Sequence, residues 1–290
     1  MEFKRQFPDD DACLQWLWQK RYAPDGHTAT CPKCLQPRRF HRLKKQPAYS
    51  CDSCGHHLHP TAGTIFHKSS TALWLWFYAM YLMTSTRCGL SAKQLERQIG
   101  VTYKTAWRML NLIRNELMHD EGDSPLAGLV EIDETSVEGR PKARMNRREA
   151  AQRRERDRAT VSGVVERQGR VRLRVLPSRR GEPLTNTVRE HVIPEAVVYT
   201  DEWPAYNFVS REYAGHSTIR HSERIYVDGT VHTNTVEGFF GNLKTSLRGT
   251  YKHVSRKWLQ SYLDEFAWRY NHRDDRQAQF ASLVSRACEA

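Results

Sequence analysis

Two short cysteine pairs, CPKC at 31–34 and CDSC at 51–54, restrict the N-terminal part of this chain more than any other feature. Each pair puts two sulfurs on one tight turn, and two such turns supply the four thiolates of a tetrahedral metal site. The 16 residues between them, LQPRRFHRLKKQPAYS, suffice for short strands joined by a turn. The spacing predicts a zinc ribbon, with Cys31, Cys34, Cys51 and Cys54 holding a structural Zn²⁺. His56, His57 and His59 follow closely, but with four sulfurs available they read as surface residues. Cys13, Cys88 and Cys288 fall in no metal pattern.

A chain of 290 residues exceeds what one small core needs, so more than one domain is expected. We read a zinc ribbon region over 1–66, a helical segment over 67–120 and an α/β segment over 125–290. The apolar run ALWLWFYAMYLM has 12 residues, short of the ~20 that span a bilayer, and reads as a core helix. The opening MEFKRQFPDDD is charged throughout and has no secretory pattern. Cysteines paired for metal rather than disulfides fit a cytoplasmic protein.

The stretch GLSAKQLERQIGVTYKTAWRMLNLIRNELM carries two helix signals. Ser91 reads as an N-cap with Ala92, Leu95 and Ile99 at helical spacing, and Gly100 breaks the helix. Thr102 then caps a second one with Ala106, Leu110 and Ile113 inward. Two helices across a short Gly-containing turn form a helix-turn-helix pattern, whose second helix enters the DNA major groove. Lys104 and Arg108 are its candidate contacts.

Formal net charge is +12, which predicts affinity for polyanions. The excess is concentrated: 139–180 holds 15 Lys and Arg against 4 Asp and Glu. Such a run reads as a solvated basic loop or a nucleic-acid surface, with Arg147 and Arg148 among its contacts. An insertion is expected near 139–158.

Beyond the acidic, turn-rich DEGDSP at 120–125 the pattern becomes alternating. LVEIDETSVEG reads as a strand, and ATVSGVVERQGRVRLRVLPS as a hairpin turning near Gln168 and Gly169. A helix is expected around 184–191, strands at AVVYTDEW and STIRHS, and helices over about 235–247 and 257–270. Mixed strands and helices over this length give an α/β domain.

Three carboxylates stand out there. Asp133 lies late in the first strand, Asp201 ends AVVYT, and Glu237 falls near the start of a helix. Ligands at strand ends are usual in α/β sheets, and three acids from three elements can hold hard divalent cations such as Mg²⁺ or Mn²⁺. On the helix, Val236, Phe240, Leu243 and Leu247 share the buried face, while Glu237, Gly241 and Lys244 form the strip beside it. Glu131, Glu134, Glu138 and Glu202 lie close by, and sequence separates them poorly from the three.

The order Asp133, Asp201, Glu237, with Lys244 seven residues on, resembles the DDE transposases. CPKC…CDSC, TAGTIFHKSSTALWLWF, TYKTAW, VEIDET, VYTDEWPAY, HTNTVEGFFGNLK, RGTYKHVS and FAWRYNHR resemble the IS1595-type (ISXO2-like) insertion-sequence transposases over about residues 10–275. The resemblance implies an RNase H-like catalytic domain, a mixed sheet with flanking helices. It implies Mg²⁺-dependent cleavage at the element's terminal inverted repeats and joining of the freed 3′-OH to target DNA. It also implies double-stranded DNA as partner, at least a homodimer, and residence at the bacterial nucleoid. Some groups of the family use Asn as third residue, and Asn234 lies one turn before Glu237. The carboxylate is the stronger Mg²⁺ ligand, so Asn234, His232 and Lys244 are expected beside the metals or on DNA. Two other functions fit less of the pattern. A metal-dependent nuclease would cut without joining, and a zinc-ribbon regulator would bind DNA without Mg²⁺-dependent strand breakage.

Overall fold

The computed structural model describes residues 2–119, 124–138, 145–156, 158–178, 181–274 and 276–289. The chain forms two compact units, residues 1–118 with 274–290, and residues 119–273.

The first unit opens with helices α1 (Glu2–Gln6) and α2 (Asp10–Arg21). Four antiparallel strands follow in spatial order, β1 (Thr28–Cys31), β2 (Gln36–Arg42), β3 (Tyr49–Cys51) and β4 (His57–Leu58). Helix α2 starts where Asp9 accepts the backbone N–H of Ala12 at 2.8 Å, satisfying one free donor of the first turn. Its Leu14 and Trp18 cover the sheet through Ala29, Phe40, Tyr49 and Leu58, with Trp18 stacked on Tyr49 at 4.1 Å. Three helices follow, α3 (Leu73–Ser85), α4 (Ala92–Ile99) and α5 (Tyr103–Leu112). Ser91 and Thr102 cap α4 and α5 through their side chains, and Gly100 ends α4 in the left-handed region. Leu95, Ala106, Leu110 and Ile113 are buried, leaving Lys104 and Arg108 exposed one turn apart on α5. No described helix is long and apolar enough to cross a membrane.

The C-terminal helix Arg276–Glu289 groups with this first unit, whereas its sequence position assigned it to the 125–290 segment. The ribbon and helical regions, expected to divide near residue 66, also share the one unit. Contacts far apart in sequence decide such grouping, and local patterns carry no trace of them.

The second unit is a mixed α/β fold. Its elements are β5 (Leu129–Val137), α6 (Arg147–Arg156), β6 (Ala159–Glu166), β7 (Val171–Leu176), α7 (Gly181–His191), β8 (Val197–Asp201), α8 (Val209–Glu212), β9 (Gly215–Ile219), α9 (Asn234–Gly249) and α10 (Arg256–Asn271). The sheet runs β7-β6-β5-β8-β9. Strands β5, β6 and β7 are antiparallel neighbours, and β8 and β9 run parallel to β5. Alternation assigns its two faces. Val130, Ile132, Val164 and Val198 meet Leu184 and Val188 of α7 on one side. Val161, Val165, Val171 and Leu173 meet α9 and α10 on the other.

The basic run is not one loop. Much of it is the β6–β7 hairpin, where Arg167, Arg170 and Arg174 pair with Glu131, Glu166 and Glu190. Before the hairpin stands α6. Asn146 and Glu149 exchange side chain-to-backbone hydrogen bonds at its start, 2.9 and 3.2 Å, and the Ala-, Arg- and Glu-rich sequence propagates well. Arg147 and Arg148 are exposed on it. Residues 139–144, the rest of the expected insertion before α6, lie outside the described residues.

Candidate active site and metal centre

In the ribbon, the sulfurs of Cys31, Cys34, Cys51 and Cys54 all lie within 4.8 Å of one another. Cys31 Sγ is 3.6 Å from Cys54 Sγ. Sulfurs about 2.3 Å from a central zinc ion form a tetrahedron with edges of ~3.8 Å, so the cluster has the size of a zinc site. Each turn is closed by the residue after its second cysteine. Leu35 N–H donates to Cys31 O at 2.8 Å, and Gly55 N–H to Cys51 O at 3.1 Å. Both closing residues have positive φ, +56° and +70°, a conformation glycine adopts freely and leucine under strain. Burial raises Cys31, yet the backbone N–H groups of Cys34 and Lys33 and the adjoining thiols outweigh it and leave Cys31 at about 7. At Cys54 the His56 N–H lowers the pKa, but burial and the three neighbouring thiols push it up to about 12. The four histidine-free donors thus share too little positive charge to ionise together without a cation.

In the second unit, α9 brings an acid to the sheet. Val236, Phe239, Phe240, Leu243 and Leu247 bury its apolar face. The helix comes close because β6 carries Gly163, where an added Cβ would lie 2.6 Å from Phe240 Cζ and 3.1 Å from Val236 Cγ2. Gly163 is paired directly with Asp133. A missing side chain in the middle strand therefore seats α9 beside the strand position that carries Asp133.

Asp133 and Asp201 come level on adjacent parallel strands. The register sets Glu131 beside Tyr199, and two residues further each strand reaches its aspartate, on the same face. Arg167 spans the pair behind them, bonded to Glu131 and 5.0 Å over the Tyr199 ring. Burial pushes the Asp133 carboxyl up to about 6, and the neighbouring charges of Asp201 and Glu237 add to the rise, against the Glu134 N–H donated to Asp133 at 2.7 Å. The three acids thus sit within electrostatic reach of one another. They are not drawn as tight as the cysteines: among the described residues, only the sulfurs gather three or more ligand atoms within 4.8 Å.

Each acid is held by its own support. Asp201 accepts the N–H of Trp203 at 3.0 Å. The loop after it is tied to β5 by Tyr206, whose buried hydroxyl donates to Glu134. Burial and that carboxylate raise the Tyr206 pKa well above its ordinary value. Glu237 is half-exposed, accepts the Thr233 hydroxyl at 2.8 Å and lies 3.5 Å from His221 Nε2. Glu202 accepts both the backbone N–H and the hydroxyl of Ser222, at 3.0 and 2.8 Å, which steadies the His221 loop.

Glu131 has a different task. It is fully buried and accepts the Thr235 N–H at 2.8 Å, the Val236 N–H at 3.1 Å and the Thr235 hydroxyl at 2.8 Å. Arg167 Nε donates to it at 2.6 Å. The carboxylate caps the N-terminus of α9 from another element, where free N–H groups and the helix dipole favour negative charge. His232 belongs to the same cluster, 3.3 Å from Glu131 and 2.9 Å from Arg167 Nη2. Asn234 is exposed at the first helical position, and Lys244 is half-buried two turns beyond Glu237.

Sequence reasoning passed over Glu131, Arg167, Gly163, Thr233 and His221. Two signals were available. Glu131 and Asp133 fall on one face by alternation, and a glycine inside VSGVV marks a close approach. Nothing local announces Arg167 or His221.

An acid-bearing mixed α/β unit beside a four-cysteine ribbon defines a class of DNA-processing protein, and comparison identifies the family. Residues 125–271 match the ISXO2-like transposase domain, and the chain belongs to that family. It is 29% identical, over 82% of its length and 84% of the relative's, to an uncharacterized protein in transposable element ISH50 of Halobacterium salinarum. It is 26% identical to an uncharacterized transposase-like protein of Haemophilus influenzae, over 34% of this chain and 78% of the relative.

Proposed function

We propose that this protein is the transposase of an insertion sequence, cutting DNA at the element's terminal inverted repeats and joining the ends to target DNA. The observation that carries the reading is the meeting of Asp133, Asp201 and Glu237 from three elements, with Asp133 lifted by burial and by the other two. The strand order, with β8 and β9 parallel to β5 and an antiparallel β5-β6-β7 run, supports an RNase H-like catalytic domain.

The donor set fits a hard divalent cation, since all three groups offer carboxylate oxygens and their crowding leaves negative charge to be offset. Bound Mg²⁺ would supply a lowered pKa for water and charge stabilisation at phosphorus. The protein's part is to hold the three carboxylates in place and to align DNA. In cleavage, water oxygen bonds to phosphorus as the bridging 3′ oxygen leaves and takes a proton, giving a 3′-OH and a 5′-phosphate. In joining, that 3′ oxygen bonds to a target phosphorus and displaces the target's own 3′ oxygen. Neither step forms a covalent bond to protein.

The exposed Lys104 and Arg108 of α5 and the ribbon suit end recognition, and Arg147 and Arg148 of α6 suit phosphate contacts outside the ends. Lys244 lies on the Glu237 side of α9, in reach of DNA phosphate there. Zn²⁺ in the ribbon is structural. Holding two ends together calls for at least a dimer. The test is a supercoiled plasmid carrying the element's ends, incubated with protein and Mg²⁺. Cleaved ends with free 3′-OH groups and joined products are expected, both lost in EDTA. Cutting without joining would reduce the protein to a nuclease, and binding without cutting would remove the enzymatic reading.

A further inference from the structure

The β9–α9 connection carries three consecutive apolar residues in the open, Ile225, Tyr226 and Val227, exposed by 39, 58 and 51%. The other exposed large hydrophobics among the described residues, Leu35, Tyr103 and Val197, are scattered singly. Contiguous apolar side chains in water mark a contact surface, and this one is braced. Ser222 is bonded to Glu202, Arg224 turns the chain at φ +59°, and Asp228 and Val231 exchange backbone hydrogen bonds at 2.9 Å around Gly229.

The position of the tip matters more than its exposure. His221 reaches Glu237 Oε1 at 3.5 Å, and its ring lies 5.4 Å from that of Tyr226. One side chain therefore separates the phenol from a candidate catalytic acid. Arg220 and Arg224, both exposed, flank the tip. A flat aromatic ring between aliphatic neighbours, with cations alongside and a phosphate-cutting site next door, matches a nucleobase and its backbone. A phosphate inside a stacked duplex is held stiffly, and local unstacking frees the backbone to enter a recessed site.

We infer that Tyr226, supported by Ile225 and Val227, receives a base unstacked from the DNA beside the phosphate being cut. The inference rests on the transposase reading. Stacking of a base on an aromatic side chain is worth about 5- to 100-fold in an equilibrium, enough to bias which step opens. The occupant is DNA; a second copy of the chain on the same patch is the competing outcome.

End DNA with 5-iodouracil at successive positions near the cut, bound to full-length protein with Ca²⁺ in place of Mg²⁺, tests it by photocrosslinking. A crosslink to the peptide containing Tyr226 from a position next to the cut is expected. Tyr226→Phe should keep it, and Tyr226→Ala should lose it by about 10-fold or more with end binding unchanged. Cleavage by Tyr226→Ala should fall similarly and recover on DNA with an unpaired base at that position. Crosslinks mapping elsewhere, unaltered cleavage by Tyr226→Ala, or a loss of self-association in that variant would each overturn the proposal. Wild-type cleavage of the same DNA in Mg²⁺ is the separate check on the transposase reading.

Discussion

The carboxylate of Glu131 accepts the backbone N–H of Thr235 at 2.8 Å, so a strand residue caps a helix that begins about 100 residues later. With the Val236 N–H, the Thr235 hydroxyl and Arg167 also bonded to it, Glu131 has its lone pairs committed and none left for a cation. Asp133, on the same face two residues along, has a single backbone donor among its described bonds. Two neighbouring acids therefore do opposite things, one fixing α9 and the other facing the reaction.

Glu131→Gln should accordingly act through stability. It keeps the shape but weakens charged hydrogen bonds, each worth about 1.5–3 kcal/mol, and leaves Arg167 without its counter-charge. We expect the 119–273 unit to melt lower, with cleavage reduced in proportion to the displaced Glu237 and the Mg²⁺ dependence little changed. Full thermal stability combined with abolished metal binding would instead make Glu131 a ligand.

Asp133→Asn should do the reverse. A buried acid raised from 3.8 to about 6 binds its proton more tightly in the folded than in the unfolded chain. Metal-free stability from this group is therefore full below pH ~4 and is lost as pH rises to about 6. The full shift corresponds to about 3 kcal/mol by pH 7. Thermal melts in EDTA should show Asp133→Asn more stable than wild type at pH 7 and equal to it near pH 4, while DNA cleavage is abolished. A variant no more stable at pH 7 than at pH 4, relative to wild type, contradicts the strained acid.

How much of this was readable beforehand depends on range. The caps at Ser91, Gly100 and Thr102, the hairpin at Gln168 and the apolar face of α9 are local, and sequence spacing located them. The four cysteines gathered as their spacing required. The start of α6 carries a capping signature at Asn146 and Glu149, but its density of arginine made it read as a loop. The C-terminal helix joined the first unit through contacts that no window contains. Separating Glu131 from Asp133 needed the register of β5 against β8 and the docking of α9, both set by tertiary packing.

Gly163 tests that docking. Alanine there forces Phe240, 2.6 Å from the new Cβ, to give way, and overpacking costs about 1–3 kcal/mol. Gly163→Ala should melt lower and cleave poorly, because Glu237 rides on the displaced helix. Adding Phe240→Leu makes room and should recover part of both. If the double variant is worse than additive in melting and in cleavage, Phe240 is not the obstacle.

The ribbon should depend on metal independently of the other unit. Cys31→Ser with Cys51→Ser removes one sulfur from each turn, leaving too few thiolates for a closed site. Zinc content measured after dialysis should fall to background, and protease should cut the region around 28–58 while leaving 119–273 intact. Stoichiometric zinc in the double variant would rule out the four-thiolate site.

Glu237 and Asn234 compete for the third position of the site, and their surroundings differ. Glu237 lies within electrostatic reach of Asp133, accepts from Thr233 and contacts His221. Asn234 is exposed one turn earlier at the helix start. An amide is also the weaker donor to a hard cation. Glu237→Gln, nearly isosteric on a half-exposed side chain, should leave folding and end binding intact while cleavage and joining fall by about 10³-fold or more. Pairing it with Asp201→Asn should cost little beyond either change alone, since residues that act as a unit are not additive. Asn234→Ala should keep most of the activity. Strand transfer at the wild-type rate by Glu237→Gln, together with its loss in Asn234→Ala, would move the third ligand to the amide while leaving Asp133 and Asp201 in place.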